Sequence, residues 1–192
     1  MNMNANLLAS RVWPAAGEAN WTRAIVLAVI GSLFVAAAAQ ISVPMLPVPM
    51  TLETLAVLVV GGAYGARLGA ATLGLYAIEG AVGLPVFANF SGGYHVIAGP
   101  TGGYILGFIA AAGLVGYLVE KGWGANVVKL GAAMLIGAAV LYVPGLIWLA
   151  KFTGASDALT YGLYPFMLGD IVKAVLAALA FPAAFSLLGP KV

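Results

Sequence analysis

The sequence predicts an all-α integral membrane protein with six transmembrane helices, irregular outer loops and both termini in the cytoplasm. Hydrophobic residues make up 63% of the 192 residues, which include only eight Lys or Arg and six Asp or Glu. The mean hydropathy is +1.06. A soluble domain carries about 25% charged residues, whereas this chain carries 7%. Too few polar side chains are present to cover a soluble globule, and disordered chains are polar and charged.

The length sets the number of helices. A spanning helix takes about 20 residues, so the chain accommodates about five to seven helices with short connections and no second, soluble domain. We expect residues 1–20 to form a cytoplasmic or interfacial N-terminal segment, and residues 21–192 to form one six-helix membrane domain. The six predicted helices cover residues 21–42, 51–62, 67–82, 104–119, 127–150 and 164–188.

Gly, Pro and the rare charges end each helix. The first stops at the proline-rich segment 43–49, because proline lacks an N–H and disfavours helix in the residue before it. The second and third are too short to cross a membrane squarely, and a glycine-rich stretch at 83–103 follows them. Non-helical backbone at membrane depth is tolerated only where it is buried or lines a cavity. Segments 43–50 and 83–103 are therefore candidate cavity walls, with ordinary interfacial loops as the alternative.

The positive charges orient the chain. Six helices place both termini on one side of the membrane. The other side carries a single positive residue, Lys151, between the fifth and sixth helices. Because Lys and Arg remain cytoplasmic, the opposite side is predicted to be inside, with both termini. That side carries Arg11, Arg23, Arg67, Lys121, Lys129 and Lys191.

Composition also excludes several kinds of site. No cysteine is present, which excludes disulfides and thiolate metal sites, and one histidine, His95, cannot form a His-rich metal site. The net charge of +2 does not suggest nucleic acid. The chain has no H-E-x-x-H or phosphate-loop motif. We therefore expect neither an enzyme nor a cofactor or metal.

Two charges lie inside a predicted helix rather than at its end. Asp170 and Lys173 are about 9 to 14 Å along the sixth helix at 1.5 Å per residue, and their spacing of three places them on one face. Because each charge is costly in hydrocarbon, we expect the pair to face the bundle interior. One interpretation is a substrate site in which Lys173 binds an anion and Asp170 accepts N–H donors. The other is an ion pair that only fixes the helix.

Other candidates carry similar alternatives. Asn89 and Thr101 belong to the uncharged polar loop on the same side. Glu53 either touches a ligand or favours the start of its helix, and Tyr104 either packs or stacks on a ligand. Small residues repeat every four positions along the first helix, a pattern that permits close helix approach, either within the bundle or against a partner. This stripe consists of Ala24, Ala28, Ser32 and Ala36.

Four motifs resemble those of the BioY family, the biotin-specific substrate-binding subunits (S components) of energy-coupling factor (ECF) transporters. The resemblance covers roughly residues 22–188. Its motifs are P-V-P-M-T-L at 47–52, G-L-P-V-F-A at 83–88, G-P-T-G-G-Y at 99–104 and G-D-I-V-K at 169–173.

The resemblance implies six helices and an outward-facing biotin pocket in a prokaryotic inner membrane. It implies biotin contacts from Asn89, Asp170 and Lys173. Thr101, Tyr104 and Glu53 remain weaker candidates, named from the residues alone. Glu53 stands where relatives more often have glutamine. The partners implied are biotin, a transmembrane coupling protein and cytoplasmic ABC-type ATPases, besides the lipid bilayer. The helix-1 stripe resembles the family's docking surface for the coupling protein, which would assign that role to Ala28, Ser32 and Ala36.

Other functions fit the same sequence. A self-sufficient biotin carrier or facilitator would need no ATPase. An intramembrane enzyme would use Asp170 as a base and release altered product. A purely structural membrane subunit would bind no ligand, and loss of Asp170 would then disrupt only assembly.

Overall fold

The computed structural model describes residues 7–12 and 20–187, and these form a helical bundle with one short antiparallel ribbon. The ribbon pairs β1 (Ser42–Val43) with β2 (Met50–Thr51). Single turns of 3-10 helix lie at Ala88–Phe90 and Trp123–Ala125. The helices are α1 (Leu8–Val12), α2 (Asn20–Gln40), α3 (Glu53–Tyr64), α4 (Ala66–Ala81), α5 (Tyr94–Ala98), α6 (Gly102–Glu120), α7 (Val127–Thr153), α8 (Ala155–Gly162) and α9 (Tyr164–Leu187).

The predicted helices are present as α2, α3, α4, α6, α7 and α9. The first was predicted too long, because it ends at Gln40 and Ser42 begins the ribbon. The fifth was predicted too short, because α7 continues to Thr153. The short helices α1, α5 and α8 were not predicted. Of the predicted segment 1–20, only residues 7–12 and 20 are described, and Lys191 lies outside the described residues.

Four described helices are long and apolar enough to cross a membrane: α2, α6, α7 and α9. The helix α3 has 12 residues and α4 has 16. At 1.5 Å per residue α3 is about 18 Å long, well short of a hydrocarbon core of about 30 Å. The ribbon connects the end of α2 to the start of α3.

The helix α6 packs closely against α3 and α7. A Cβ at Gly107 would lie 2.5 Å from the Leu141 carbonyl oxygen of α7, and one at Gly61 of α3 would lie 2.6 Å from the Ala112 carbonyl oxygen of α6. Small residues at such positions let backbones approach in membranes. Gly107 and Gly61 therefore serve the close packing of α6 against its two neighbours.

Three connections meet at one end of the bundle, which we call the loop end. The Tyr104 hydroxyl donates to the Gly162 carbonyl (2.8 Å), and the Trp148 indole N–H donates to the Gly99 carbonyl (2.9 Å). These bonds tie the glycine-rich segment to the α7–α9 side. The ribbon lies at the same end, since the Ser42 hydroxyl is 3.2 Å from the side-chain oxygen of Asn89 in the glycine-rich segment.

Candidate functional site

A cavity of about 280 Å³ opens at the loop end. Apolar and aromatic side chains supply most of its wall, including Phe87, Phe108, Leu141 and Phe166. A small number of polar groups interrupt that wall. A mostly apolar cavity with a few convergent polar groups is the usual form of a small-molecule site.

The cavity brings together every substrate-binding candidate that the sequence analysis named. The same wall includes residues from segments 43–50 and 83–103, which fits their interpretation as cavity walls rather than loops remote from a site. The candidates that line it are Glu53, Asn89, Thr101, Tyr104, Asp170 and Lys173.

Asp170 and Lys173 form a buried ion pair on α9. The distance from Lys173 Nζ to Asp170 Oδ1 is 2.8 Å, and the two residues are 7% and 5% exposed. Ile171 and Val172, on the other face, are about half exposed, so the pair faces the bundle interior as expected. The Tyr142 hydroxyl of α7 donates to Asp170 Oδ2. Each oxygen of Asp170 therefore already accepts one hydrogen bond from a protein donor.

Glu53 is a second buried carboxylate in the cavity wall. It accepts hydrogen bonds from the Tyr76 hydroxyl (2.6 Å) and the Thr51 hydroxyl (2.8 Å). As the first residue of α3, it also has the position that favours a negative charge at a helix N-terminus. The two interpretations from the sequence are compatible in this geometry. The described cavity wall thus contains two carboxylates and one ammonium group.

Asn89 lies at the exposed mouth of the cavity. Its backbone has φ of +57°, in the left-handed region, which asparagine tolerates better than most residues. The Ser42 hydroxyl of the ribbon is 3.2 Å from its side-chain oxygen. Asn89 therefore lines the same cavity as the buried pair on α9.

The hydroxyl groups of Thr101 and Tyr104 are already hydrogen-bonded to backbone carbonyls. The Thr101 hydroxyl donates to the Val96 carbonyl (3.3 Å), and the Tyr104 hydroxyl is bound to Gly162. The Tyr104 ring meets the Tyr142 ring edge to face at 6.1 Å. The Tyr104 ring therefore packs against Tyr142 and also lines the cavity. The packing role and the ligand-facing role are compatible for this residue.

Sequence reasoning missed Tyr142, Phe87 and Phe166. Tyr142 is the polar partner of Asp170, and its signal was a single tyrosine within the apolar middle of α7. Phe166 precedes Asp170 by four residues, so helical spacing places both on one face. His95 is exposed and is not part of the cavity wall. No group of three or more His, Asp or Glu in the described chain is placed to hold a metal ion.

The predicted docking role of the α2 stripe requires a correction at Ser32. Ser32 has no exposed surface, and its hydroxyl donates to the Glu79 carboxylate of α4. Ala28 and Ala36 are half-buried, and Ala36 packs against the core around Tyr76. Ser32 therefore packs within the bundle against α4, which is the intramolecular alternative that the sequence left open. Ala28 and Ala36 keep some exposed surface, and their docking role stays a prediction.

A family model described as the BioY family matches residues 3–189. The probable biotin transporter BioY of Pyrococcus horikoshii is 43% identical over 151 residues, which cover 77% of this chain and 89% of the relative. The biotin transporter BioY of Thermotoga maritima is 37% identical over 158 residues, which cover 82% and 92%.

The fold is also similar to a solved one. A crystal structure of the S-component for biotin from an ECF-type ABC transporter superimposes with a TM-score of 0.75, over 90% of this chain and 95% of that chain. Its sequence identity of 22% makes this a similarity of fold. These matched proteins are named as transporters or transporter components, not as enzymes, and no cofactor is indicated. The chain is a multi-pass membrane protein, and it belongs to the BioY family.

Proposed function

We propose that this chain is the biotin-binding S component of an ECF transporter and takes up biotin across a prokaryotic inner membrane. One observation carries the proposal: in a member of the BioY family, the buried Asp170–Lys173 pair lines a cavity with apolar walls. Biotin is the cargo in this proposal and not a cofactor. The relatives named as biotin transporters support the choice of cargo.

The chemistry of the wall suits biotin. Biotin has a carboxylate that needs a cation, ureido N–H groups that need acceptors, a ureido oxygen that needs a donor and a ring system that needs apolar surface. Lys173, Asp170 and Asn89 offer these polar groups, and the aromatic wall offers the apolar surface. Pairing with biotin requires the ion pair to share its hydrogen bonds with the cargo, because Lys173 already donates to Asp170.

The orientation that goes with this function has both termini in the cytoplasm and the loop end outside. In this proposal residues 21–192 form one domain of six membrane helices, α2, α3, α4, α6, α7 and α9, and residues 1–20 lie at the cytoplasmic surface. The distribution of Lys and Arg supports it. So does the cavity, because a binding subunit for uptake must first meet its cargo outside.

Energy would come from partner proteins, namely a transmembrane coupling protein and ABC-type ATPases. The chain has no phosphate-loop motif of its own, and the similar solved structure belongs to an ECF-type ABC transporter. Co-expression tests this part. Biotin accumulation in a host without its own biotin uptake should require the coupling protein and ATPases together with this chain. Full accumulation by the chain alone would identify a self-sufficient carrier instead.

Ligand-dependent stability of the detergent-solubilised protein tests the cargo. A ligand present at about 100 times its Kd stabilises the folded state by about 2.7 kcal/mol, so biotin should raise the melting temperature clearly. Riboflavin and thiamine, offered at the same concentration, should not. Stabilisation by another vitamin and not by biotin would overturn the assignment of the cargo. Conversion of biotin to another compound would indicate an enzyme.

A further inference from the structure

The segment that carries Asn89 has an unfavourable backbone conformation. Asn89 has φ of +57° and Phe90 has φ of +55°. Two successive residues other than glycine in the left-handed region persist only where their surroundings hold them. The groups that hold segment 86–90 therefore decide where the Asn89 amide points.

The side chain of Gln40, the last residue of α2, makes the main polar contacts to this segment. Its Oε1 accepts from the Phe90 backbone N–H at 2.8 Å, and its Nε2 donates to the Phe87 carbonyl at 3.1 Å and to the Ala36 carbonyl at 3.0 Å. The partners fix the orientation of the amide, because a flipped amide would oppose donor to donor and acceptor to acceptor. Gln40 thus bonds the backbone on both sides of Asn89.

A second, separate contact fixes one end of the same segment. The Phe87 ring is 2% exposed and meets the Tyr76 ring edge to face at 5.4 Å. It fills the space beside Gly80 of α4, where a Cβ would lie 1.9 Å from the ring. Removing the Gln40 amide leaves this aromatic contact intact. The bundle should then remain folded while Asn89 loses its position.

We propose that Gln40 is a positioning residue of the biotin site and acts through Asn89 without touching the cargo. The inference rests on the proposed function, since it concerns the same site. Gln40 is not among the residues that line the cavity, whereas Asn89 and Phe87, on the segment that it holds, both line it. The Gln40 amide hydrogen-bonds the backbone groups of this irregular segment and so holds the segment in one fixed geometry.

A double-mutant cycle between Gln40→Met and Asn89→Ala tests the proposal. Methionine is of similar length and cannot make the bonds. We expect Gln40→Met to weaken biotin binding about tenfold, mainly through faster dissociation, as losing roughly one bonded contact does. In the Asn89→Ala background it should cause no further loss. Ala37→Met, on the exposed face of the same helix, is the matched control and should bind as the unaltered chain does.

The outcomes are distinct. If the unaltered chain does not bind biotin, the proposed function fails before any variant is made. If it binds and Gln40→Met binds equally well, or the losses in the cycle are additive, the positioning role of Gln40 is refuted. If Gln40→Met does not fold, Gln40→Asn supplies the same cycle, because it keeps the polar group and withdraws its reach by one methylene. A fall in the melting temperature of the ligand-free protein without the coupled loss of affinity would mean a structural role only.

Discussion

Replacing Lys173 by methionine should separate the ligand site from the ion pair. Lys173 and Asp170 are 7% and 5% exposed and 2.8 Å apart. Removing one partner of a buried pair costs about 3–5 kcal/mol, because the other charge is left uncompensated. The Tyr142 hydroxyl still donates to Asp170, so we expect the lower end of that range. The chain should fold with a visibly lower melting temperature.

Lys173→Met should also weaken biotin binding, because a hydrogen bond to the cargo is lost. This loss of affinity should remain when the stability of the protein is restored by a second substitution. A hydrogen bond to a charged group contributes about 1.5–3 kcal/mol, which is about 10- to 150-fold in Kd. The double variant Lys173→Met with Asp170→Asn removes the stranded charge. It should recover most of the stability and none of the affinity. Thermal unfolding in detergent and titration with labelled biotin measure the two quantities on the same samples.

A neutral biotin amide identifies which end of the cargo Lys173 meets. If Lys173 binds the carboxylate, Lys173→Met should weaken the amide much less than biotin. If it binds the ureido oxygen, both ligands should weaken together. Folded Lys173→Met with unchanged biotin affinity would refute the site. Recovery of biotin affinity in the double variant would show that the pair only fixes α9.

Three further predictions follow from other parts of the structure. Glu53→Gln removes one of two carboxylates from the cavity and should strengthen binding of anionic biotin roughly threefold or more, because it relieves like-charge repulsion. The affinity for the neutral biotin amide should change little. Equal effects on both ligands in titration would refute the charge argument. Gly107→Leu should abolish the yield of folded protein on size-exclusion chromatography, because its Cβ would lie 2.5 Å from a carbonyl oxygen of α7; a normal yield would refute the close contact. In the cysteine-free chain, an impermeant thiol reagent added outside should label Ser156→Cys and not Ala125→Cys; the reverse would refute the proposed orientation.

The sequence predicted the helices and the charged part of the site for simple physical reasons. Charges are so rare in this chain that Asp170 and Lys173, three residues apart within an apolar run, stand out. Proline and glycine mark the ends of α2 and α3 to within a few residues. The polar loop residues Asn89 and Thr101 were identified because non-helical backbone is tolerated among membrane helices only where it is buried or lines a cavity.

Other features depend on neighbours that a one-dimensional pattern does not identify. The spacing of Ser32 permits close packing with any helix, so the pattern could not distinguish α4 from a partner protein. Tyr142 and Phe87 are ordinary aromatic residues until the fold places them beside Asp170 and Gly80. The same holds for Gln40, whose bonds reach a segment almost fifty positions away in the chain.

The close contacts of α6 also determine which changes could give the chain a different cargo. Gly61, Gly107 and Gly116 lie where any added Cβ would meet backbone within 2.6 Å, so enlarging these residues would separate the helices. Asn89 and Glu53 lie on a loop and at a helix start, where a new side chain meets the cavity instead of another backbone. Variation confined to such positions alters what is recognised and keeps the scaffold. A library for a new vitamin would therefore randomise the loop end and hold the glycines of α6 and α3 constant.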